Sequence, residues 1–317
     1  MLEIKNLQLD FVSHDGSVRA VDGVSLTIGD GETVCLVGES GSGKSVTALS
    51  IGRLLPTPPA CYPGGQILLE GCDVLKASKL ELRELRGRGV SYIFQEPGAS
   101  LNPVMRVGAQ IMESLKLHRP EAASDDEVVR LLKLVGIPAP ETRARHYPHE
   151  MSGGMQQRVM IAIAIASEPK LLVADEPTTA LDVTIQAQIL DLLAQLKQRL
   201  GMSLLLITHN LAIVGQIADR VAVMYAGQIV ELASARDLLR RPLHPYTQAL
   251  MNSAPKLGAK AERLVNIPGN VPRPGSMPSG CRFHPRCAKA RRDCSSNKPE
   301  LIEVEPGRFV RCPYWNQ

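Results

Sequence analysis

No run of 18 or more apolar residues occurs in the 317 residues, so no segment is long enough to cross a bilayer by itself. The first dozen residues intersperse Glu3, Lys5 and Asp10 with apolar positions and lack the basic-then-apolar layout of a secretory signal. A cytosolic setting is the expectation, and structural disulfides are then not expected despite seven cysteines. Net charge is also scarce: 36 Lys and Arg stand against 32 Asp and Glu. Residues 281–317 hold eight basic and four acidic side chains, which leaves 28 of each in residues 1–280. A neutral main body argues against a broad phosphate-tracking surface, so no nucleic-acid partner is expected. There is no internal repeat, no low-complexity tract and no guanine-specifying N-K-x-D.

What is present is enough apolar material, 44% of the chain, for a packed core. The length suggests about two domains, or one α/β domain with an appendage. Leu2, Ile4, Leu7 and Leu9 alternate with polar residues, as do Val24, Leu26 and Ile28, and both segments read as half-exposed antiparallel strands. Thr33–Val37, Leu171–Ala174 and Ser203–Ile207 are continuously apolar and read as buried strands, with Gly65–Leu69 and Val90–Phe94 as further strands. Helices are predicted at Ser45–Leu55, Ser152–Ser167 and Thr184–Leu200. Residues 98–150 read as a helical insert, with helices at Val107–Leu117 and at Asp125–Val135 behind the N-cap Ser124. Val221–Tyr225 and Gln228–Leu232 form a closing hairpin at Gly227. Eight of the 23 prolines lie in residues 268–317, which predicts an irregular tail. Apolar strands alternating with helices imply a mostly parallel sheet covered on both faces.

Gly38-Glu39-Ser40-Gly41-Ser42-Gly43-Lys44-Ser45 fits G-x-x-x-x-G-K-[ST] between a buried strand and a helix. Its glycines let backbone N–H groups turn inward toward phosphate oxygens, and the helix N-terminus adds partial positive charge. Lys44 would reach the β- and γ-phosphates of ATP, and the Ser45 hydroxyl would join a Mg²⁺ shell. An acidic partner stands at the end of Leu171–Ala174: Asp175 would hold Mg²⁺ through water, and Glu176 would polarise an attacking water as general base. Ser152-Gly153-Gly154-Met155-Gln156-Gln157 opens a helix and is a second anion-binding N-terminus. Asp182 follows Glu176 by six residues, and His209 follows the strand ending at Ile207.

This order of elements resembles the ATPase subunits of ABC transporters. Six motifs appear in sequence over about 170 residues: phosphate loop, glutamine loop at Gln95, signature, acidic strand, D-loop and switch histidine. The resemblance implies a head-to-tail dimer, with each ATP between one subunit's phosphate loop and the other's signature (Ser152, Gly153, Gly154, Gln157) and Asp182. It implies that Gln95 touches Mg²⁺ and senses the transmembrane partner, and that His209 holds the γ-phosphate and the water. Phe11 either stacks on adenine or is an ordinary core residue. Met151 and Met155 depart from the usual Leu and Gln of the signature, and Asn210 stands where Asp is common.

Cys281, Cys287, Cys294 and Cys312 crowd into the basic tail. Four clustered thiols in a cytosolic chain suggest a metal site. The gaps are wider than the C-x2-C pairs of structural zinc, and Cys₄ ligation also suits [4Fe–4S]. Arg282, Arg286, Arg291, Arg292 and Arg311 would offset thiolate charge. Spacing alone does not choose the metal. His244-Pro245-Tyr246-Thr247, Leu250 and the cysteine pattern resemble the di- and oligopeptide importer ATPases, a group that includes nickel importers and members with an iron–sulfur cluster. The resemblance implies an ABC nucleotide-binding domain over residues 1–255 and a peptide-importer extension over 256–317. It also implies a paralogous ATPase subunit as heterodimer partner, two permease subunits and a periplasmic peptide-binding protein. The location implied is peripheral, on the cytoplasmic face of a bacterial inner membrane. An importer of nickel or another small solute, or a non-transport ABC ATPase, remains the alternative. The signature, the D-loop and His209 argue against an unrelated P-loop kinase or GTPase.

Overall fold

Leu2, Ile4, Leu7 and Leu9 are all buried in the first strand, where period-two alternation resumes after a bulge between Ile4 and Leu7 and keeps one face in the core. The computed structural model describes residues 1–14, 16–179, 181–253 and 267–317. In chain order the strands are β1 (Leu2–Ser13), β2 (Gly16–Ile28), β3 (Thr33–Val37), β4 (Ala60–Leu69), β5 (Cys72–Asp73), β6 (Val90–Ile93), β7 (Leu171–Asp175), β8 (Ser203–Thr208), β9 (Arg220–Tyr225), β10 (Gln228–Ser234), β11 (Ile302–Glu305) and β12 (Arg308–Val310). The chain divides into two units: Met1–Ile28, Thr33–Lys76 and Ile207–Gln317 form one, and Gly29–Glu32 with Ala77–Leu206 form the other.

The first unit holds an antiparallel sheet of order β2-β1-β4-β5 and a run of strands ordered β11-β12-β10-β9-β3. β3 pairs parallel to β9 from Val34↔Arg220 to Val37↔Val223. All five residues of β3 are buried, as a strand covered on both faces requires. The helix after it runs Lys44–Ile51, shorter than predicted: Gly52 caps it and Arg53 takes a left-handed φ of 49°, so the turn precedes the proline breaker. β4 begins at Ala60, earlier than the Gly65 predicted, because Cys61 and Ala60 extend its pairing with Asp10 and Phe11 of β1.

The described tail is mostly irregular, as expected, and ends in one short hairpin. β11 and β12 form a hairpin at Gly307 (φ 71°), and β12 adds to β10 through Glu231↔Val310 and Leu232↔Phe309. Alternation in Ile302–Glu305 and Arg308–Val310 outweighs the surrounding prolines because β10 presents an edge to pair with. The same region buries two titratable groups. Glu231 is fully buried and accepts from the backbone N–H of Leu243 and His244, each at 2.8 Å. Burial pushes its carboxyl up, against the pull of those two donors and Arg308. Burial likewise pushes the His244 imidazole down to about 3. Its Nδ1 accepts from Tyr246 N–H at 3.1 Å, which fixes the neutral form.

The second unit orders β8-β7-β6, with β6 and β7 parallel from Val90↔Leu171 to Ile93↔Ala174. The insert forms helices at Val107–His118 and Asp125–Leu134, the latter with Ser124 Oγ accepting from Glu127 N–H at 3.2 Å. Acidic residues Asp125, Asp126 and Glu127 fill its first turn, where they complement the helix dipole. A helix at Lys79–Leu85 was readable from Ser78-x-x-Glu81, which closes a reciprocal capping box. Among the described residues no helix is long and apolar enough to cross a membrane. The boundary placed at residue 255 falls outside the described residues.

The buried neutral His244 sets an acid limit. Its folded pKa lies below the unfolded value of about 6.5, so the unfolded chain takes up a proton that the folded chain refuses. The contribution of His244 is complete above about pH 6.5 and falls toward pH 3 with a slope of up to about 1.4 kcal/mol per pH unit. Urea unfolding followed between pH 7 and 4 will show this slope, and His244→Asn, which keeps an acceptor but cannot protonate, will flatten it.

Candidate nucleotide site and cysteine pocket

The phosphate loop occupies Gly38–Gly43 and leads into the helix at Lys44. Two of its glycines are dictated by contact. A Cβ on Gly38 would lie 2.2 Å from the Met224 carbonyl oxygen. One on Gly43, at φ 101°, would lie 2.8 Å from Met224 Cε and 3.1 Å from the Ala20 carbonyl. Gly41 (φ 78°) faces open space, and Ser40 and Gly41 form the exposed lip. Gly227 N–H donates to the Ser42 carbonyl at 2.8 Å and seats the loop on the β9–β10 turn. Lys44 is 5% exposed, and its ammonium donates to the carbonyls of Gly38 (2.8 Å) and Glu39 (2.9 Å). A glycine-walled loop that closes on the Lys44 ammonium, with Ser45 next in the helix, fits the triphosphate and Mg²⁺ expected there.

Phe11 is half-buried in β1 opposite Val18 and Ala60, and the strand continues past it to Ser13. His209 is exposed and follows directly on β8. Both belong to the first unit.

In the second unit the structure brings Gln95 and Glu176 together: Gln95 Nε2 donates to Glu176 Oε2 at 3.3 Å. Thr179 Oγ1 donates to the same oxygen at 2.9 Å, a contact not anticipated from sequence. Glu176 follows Asp175 at the carboxyl end of β7 and has φ 48°. It precedes Pro177, a position that favours extended backbone, so this left-handed turn stores on the order of 1–3 kcal/mol of strain. Such strain marks a residue whose direction matters more than its comfort.

Ser152 caps the signature helix Gly153–Ile165, its Oγ accepting from Met155 N–H at 3.4 Å. Ser152 and Gly153 are exposed, while Gly154 packs on Ile185, 3.2 Å from where its Cβ would be. Asp182 is exposed and caps the next helix, Val183–Leu200, by accepting from Ile185 N–H at 2.9 Å. Gln157, expected to meet a nucleotide in trans, is buried within its own chain. It is 1% exposed, because it lies one turn into the helix on the core-facing side.

Cys281, Cys287, Cys294 and Cys312 line one pocket of about 40 Å³, together with Phe283, His284 and Tyr314. Burial pushes the thiols of Cys281, Cys287 and Cys312 up, and the other thiols add to the rise in each. Among the described residues no three His, Cys, Asp or Glu side chains form a ready single-ion site. Cys35, by contrast, is fully buried in β3, and burial pushes its thiol up to about 12, as for an inert core residue.

Arg282, Arg286 and Arg311 do not serve chiefly as counter-charges for these thiols. Arg282 reaches Asp22 at 2.6 Å and the Ala226 carbonyl. Arg311 donates to the carbonyls of Ile229 (2.9 Å) and Pro299 (3.0 Å). Arg286 forks onto both oxygens of Glu39 in the phosphate loop, at 2.8 and 2.9 Å. Asp22 also receives Lys298 and Gln228; burial raises its carboxyl, but these cationic and amide partners outweigh it and the net shift is downward. The acidic partners of Arg282 and Arg286 lie more than 200 residues away in sequence, beyond the reach of any local pattern.

Comparison with known proteins assigns the family. The ABC transporter profile matches residues 21–179, and the profile of the oligopeptide/dipeptide transporter C-terminal region matches residues 230–294. The chain is 49% identical over 314 residues to the oligopeptide transport ATP-binding protein AppD of Bacillus subtilis, covering 98% of this chain and 96% of that protein. It is 47% identical over 314 residues to OppD of Escherichia coli, covering 98% and 92%. Among solved structures, the dimeric post-hydrolysis state of the ATP-binding cassette MJ0796 bound to ADP and Pi is similar at a TM-score of 0.65 and 27% identity, covering 74% of this chain and 99% of that one. With its phosphate loop, its strand-end carboxylates and its C-terminal extension, this chain belongs to the family of ATP-binding subunits of oligopeptide/dipeptide ABC transporters.

Proposed function

We propose that the chain hydrolyses ATP to power the import of di- or oligopeptides. The ATPase reading is carried by the buried Lys44 within the glycine-walled loop. The C-terminal match narrows the cargo class to peptides. In this reading Gly38–Ser45 grip the triphosphate, with Phe11 against the adenine. Ser45, Gln95 and Asp175 hold Mg²⁺, which neutralises charge on the phosphates when bound. Glu176 takes the proton of the attacking water, and His209 orients that water and the γ-phosphate. Ser152, Gly153, Gly154 and Asp182 serve the nucleotide of a second cassette. The Gln95–Glu176 hydrogen bond supports a coupling role: a partner that shifts Gln95 also changes what holds the base.

Residues 1–255 then act as the cassette, with residues 98–150 facing a permease pair, and residues 256–317 act as the importer-specific extension. The partners are a paralogous ATPase, two permeases and a periplasmic peptide-binding protein, at the cytoplasmic face of an inner membrane. The four thiols hold a [4Fe–4S] cluster. The support is that all four cysteines line one pocket.

Two outcomes test this. In the assembled transporter, Glu176→Gln will lower the ATPase kcat by at least about 100-fold while leaving ATP affinity within about threefold, as loss of a general base does. Protein purified without oxygen will be brown and carry about four irons per chain, and Cys287→Ser will lose both. A colourless protein with one zinc, or with none, would remove the cluster from the proposal.

A further inference from the structure

The second residue of the phosphate loop carries a negative charge where the motif leaves the choice open. Glu39 sits between Gly38 and Ser40, half-buried, on a loop that must receive an anionic triphosphate. An unpaired carboxylate there would repel the ligand through a partly desolvated medium. The chain answers with a residue from its far end. Arg286 has a side chain only 5% exposed and pairs with Glu39 in fork geometry, Nη1 to Oε2 at 2.8 Å and Nη2 to Oε1 at 2.9 Å. Its Nε donates to the Pro268 carbonyl at 2.8 Å, and its guanidinium lies 5.7 Å from the centre of the Tyr225 ring. The loop backbone is held at the same residue: Glu39 N–H donates to the Tyr246 hydroxyl at 2.9 Å. Tyr246 is fully buried, and Phe283 of the extension packs on it with ring centres 5.2 Å apart. Arg286 and Phe283 thus form part of the wall behind the loop.

The geometry points to Arg286 as a positioning residue for nucleotide binding: it neutralises Glu39, turns that carboxylate away from the phosphates and makes the loop's competence depend on the folded cysteine-rich extension. This rests on Gly38–Ser45 being the triphosphate site and is independent of what the thiols hold. Arg286 bonds to Glu39, Tyr225 and Pro268 rather than to Lys44 or Ser45, so its loss acts on affinity more than on the chemical step.

The test is equilibrium binding of MgATP to the full chain, below the melting temperature of every variant. Arg286→Met will weaken binding about tenfold, or ~1.4 kcal/mol. Arg286→Met combined with Glu39→Gln, which removes the repulsion too, will recover to within about threefold of the parent. Arg286→Lys, which keeps the charge but loses the fork, will fall between and serves if the Met variant does not fold. In the assembled transporter the KM for ATP will rise with Arg286→Met while kcat changes less than about twofold. A folded Arg286→Met or Arg286→Lys with parental affinity overturns the proposal. So does a double variant as weak as the single one, which would put the effect in the extension's packing instead of the pair. Lys44→Ala separates the layers. If it loses MgATP while Arg286→Met keeps it, only the Arg286 role falls; if Lys44→Ala binds normally, the loop assignment falls and the Arg286 role with it.

Discussion

A backbone approach too close for any side chain governs the nucleotide site. At Gly38 a Cβ would stand 2.2 Å from the Met224 carbonyl, and at Gly227 it would stand 2.7 Å from the Ala20 carbonyl. Loop, hairpin turn and β2 therefore meet as bare backbone, and the Gly227 N–H to Ser42 carbonyl bond fixes their spacing. Interiors are close-packed and do not absorb an extra methyl at such distances. With the loop's outer side pinned this way, its Gly38 and Glu39 carbonyls accept from the Lys44 ammonium.

The extension belongs to this arrangement rather than hanging from it. Tyr225, Tyr246 and Phe283 form a cluster with ring centres 4.6–5.2 Å apart, in tilted and edge-on geometries. Such pairs are worth about 0.5–1.5 kcal/mol each beyond their buried area. Around them lie groups that tolerate burial only when matched: Glu231 with two backbone donors, Arg286 with Glu39, Asp22 with Arg282 and Lys298. Removing one partner from such a set leaves a desolvated charge, which costs about 3–5 kcal/mol where burial is deep. That cost makes the docked state of the tail specific.

Local signals were legible where one short segment contains both cause and effect. β3 matched its predicted bounds because five apolar residues before a glycine loop can do little else. Ser124 and Ser152 announced their helices by side-chain chemistry alone. The helix after the loop was read too long because its stop is a left-handed turn at Gly52–Arg53, weaker in the sequence than the prolines beyond it. The burial of Gln157 was not legible, because motif membership says nothing about which side of a helix faces the core.

The sequence by itself determined the order of elements, the family and the chemistry available at each motif, since spacing along a chain decides local hydrogen bonding and periodicity. Tertiary structure decided which distant groups meet. It joined Arg286 to Glu39 across 247 positions, placed four thiols around one pocket, set Thr179 and Gln95 on the Glu176 carboxylate, and paired β12 with β10. These depend on the packing of whole layers, where burial selects among many charge and strand pairings that the sequence allows equally.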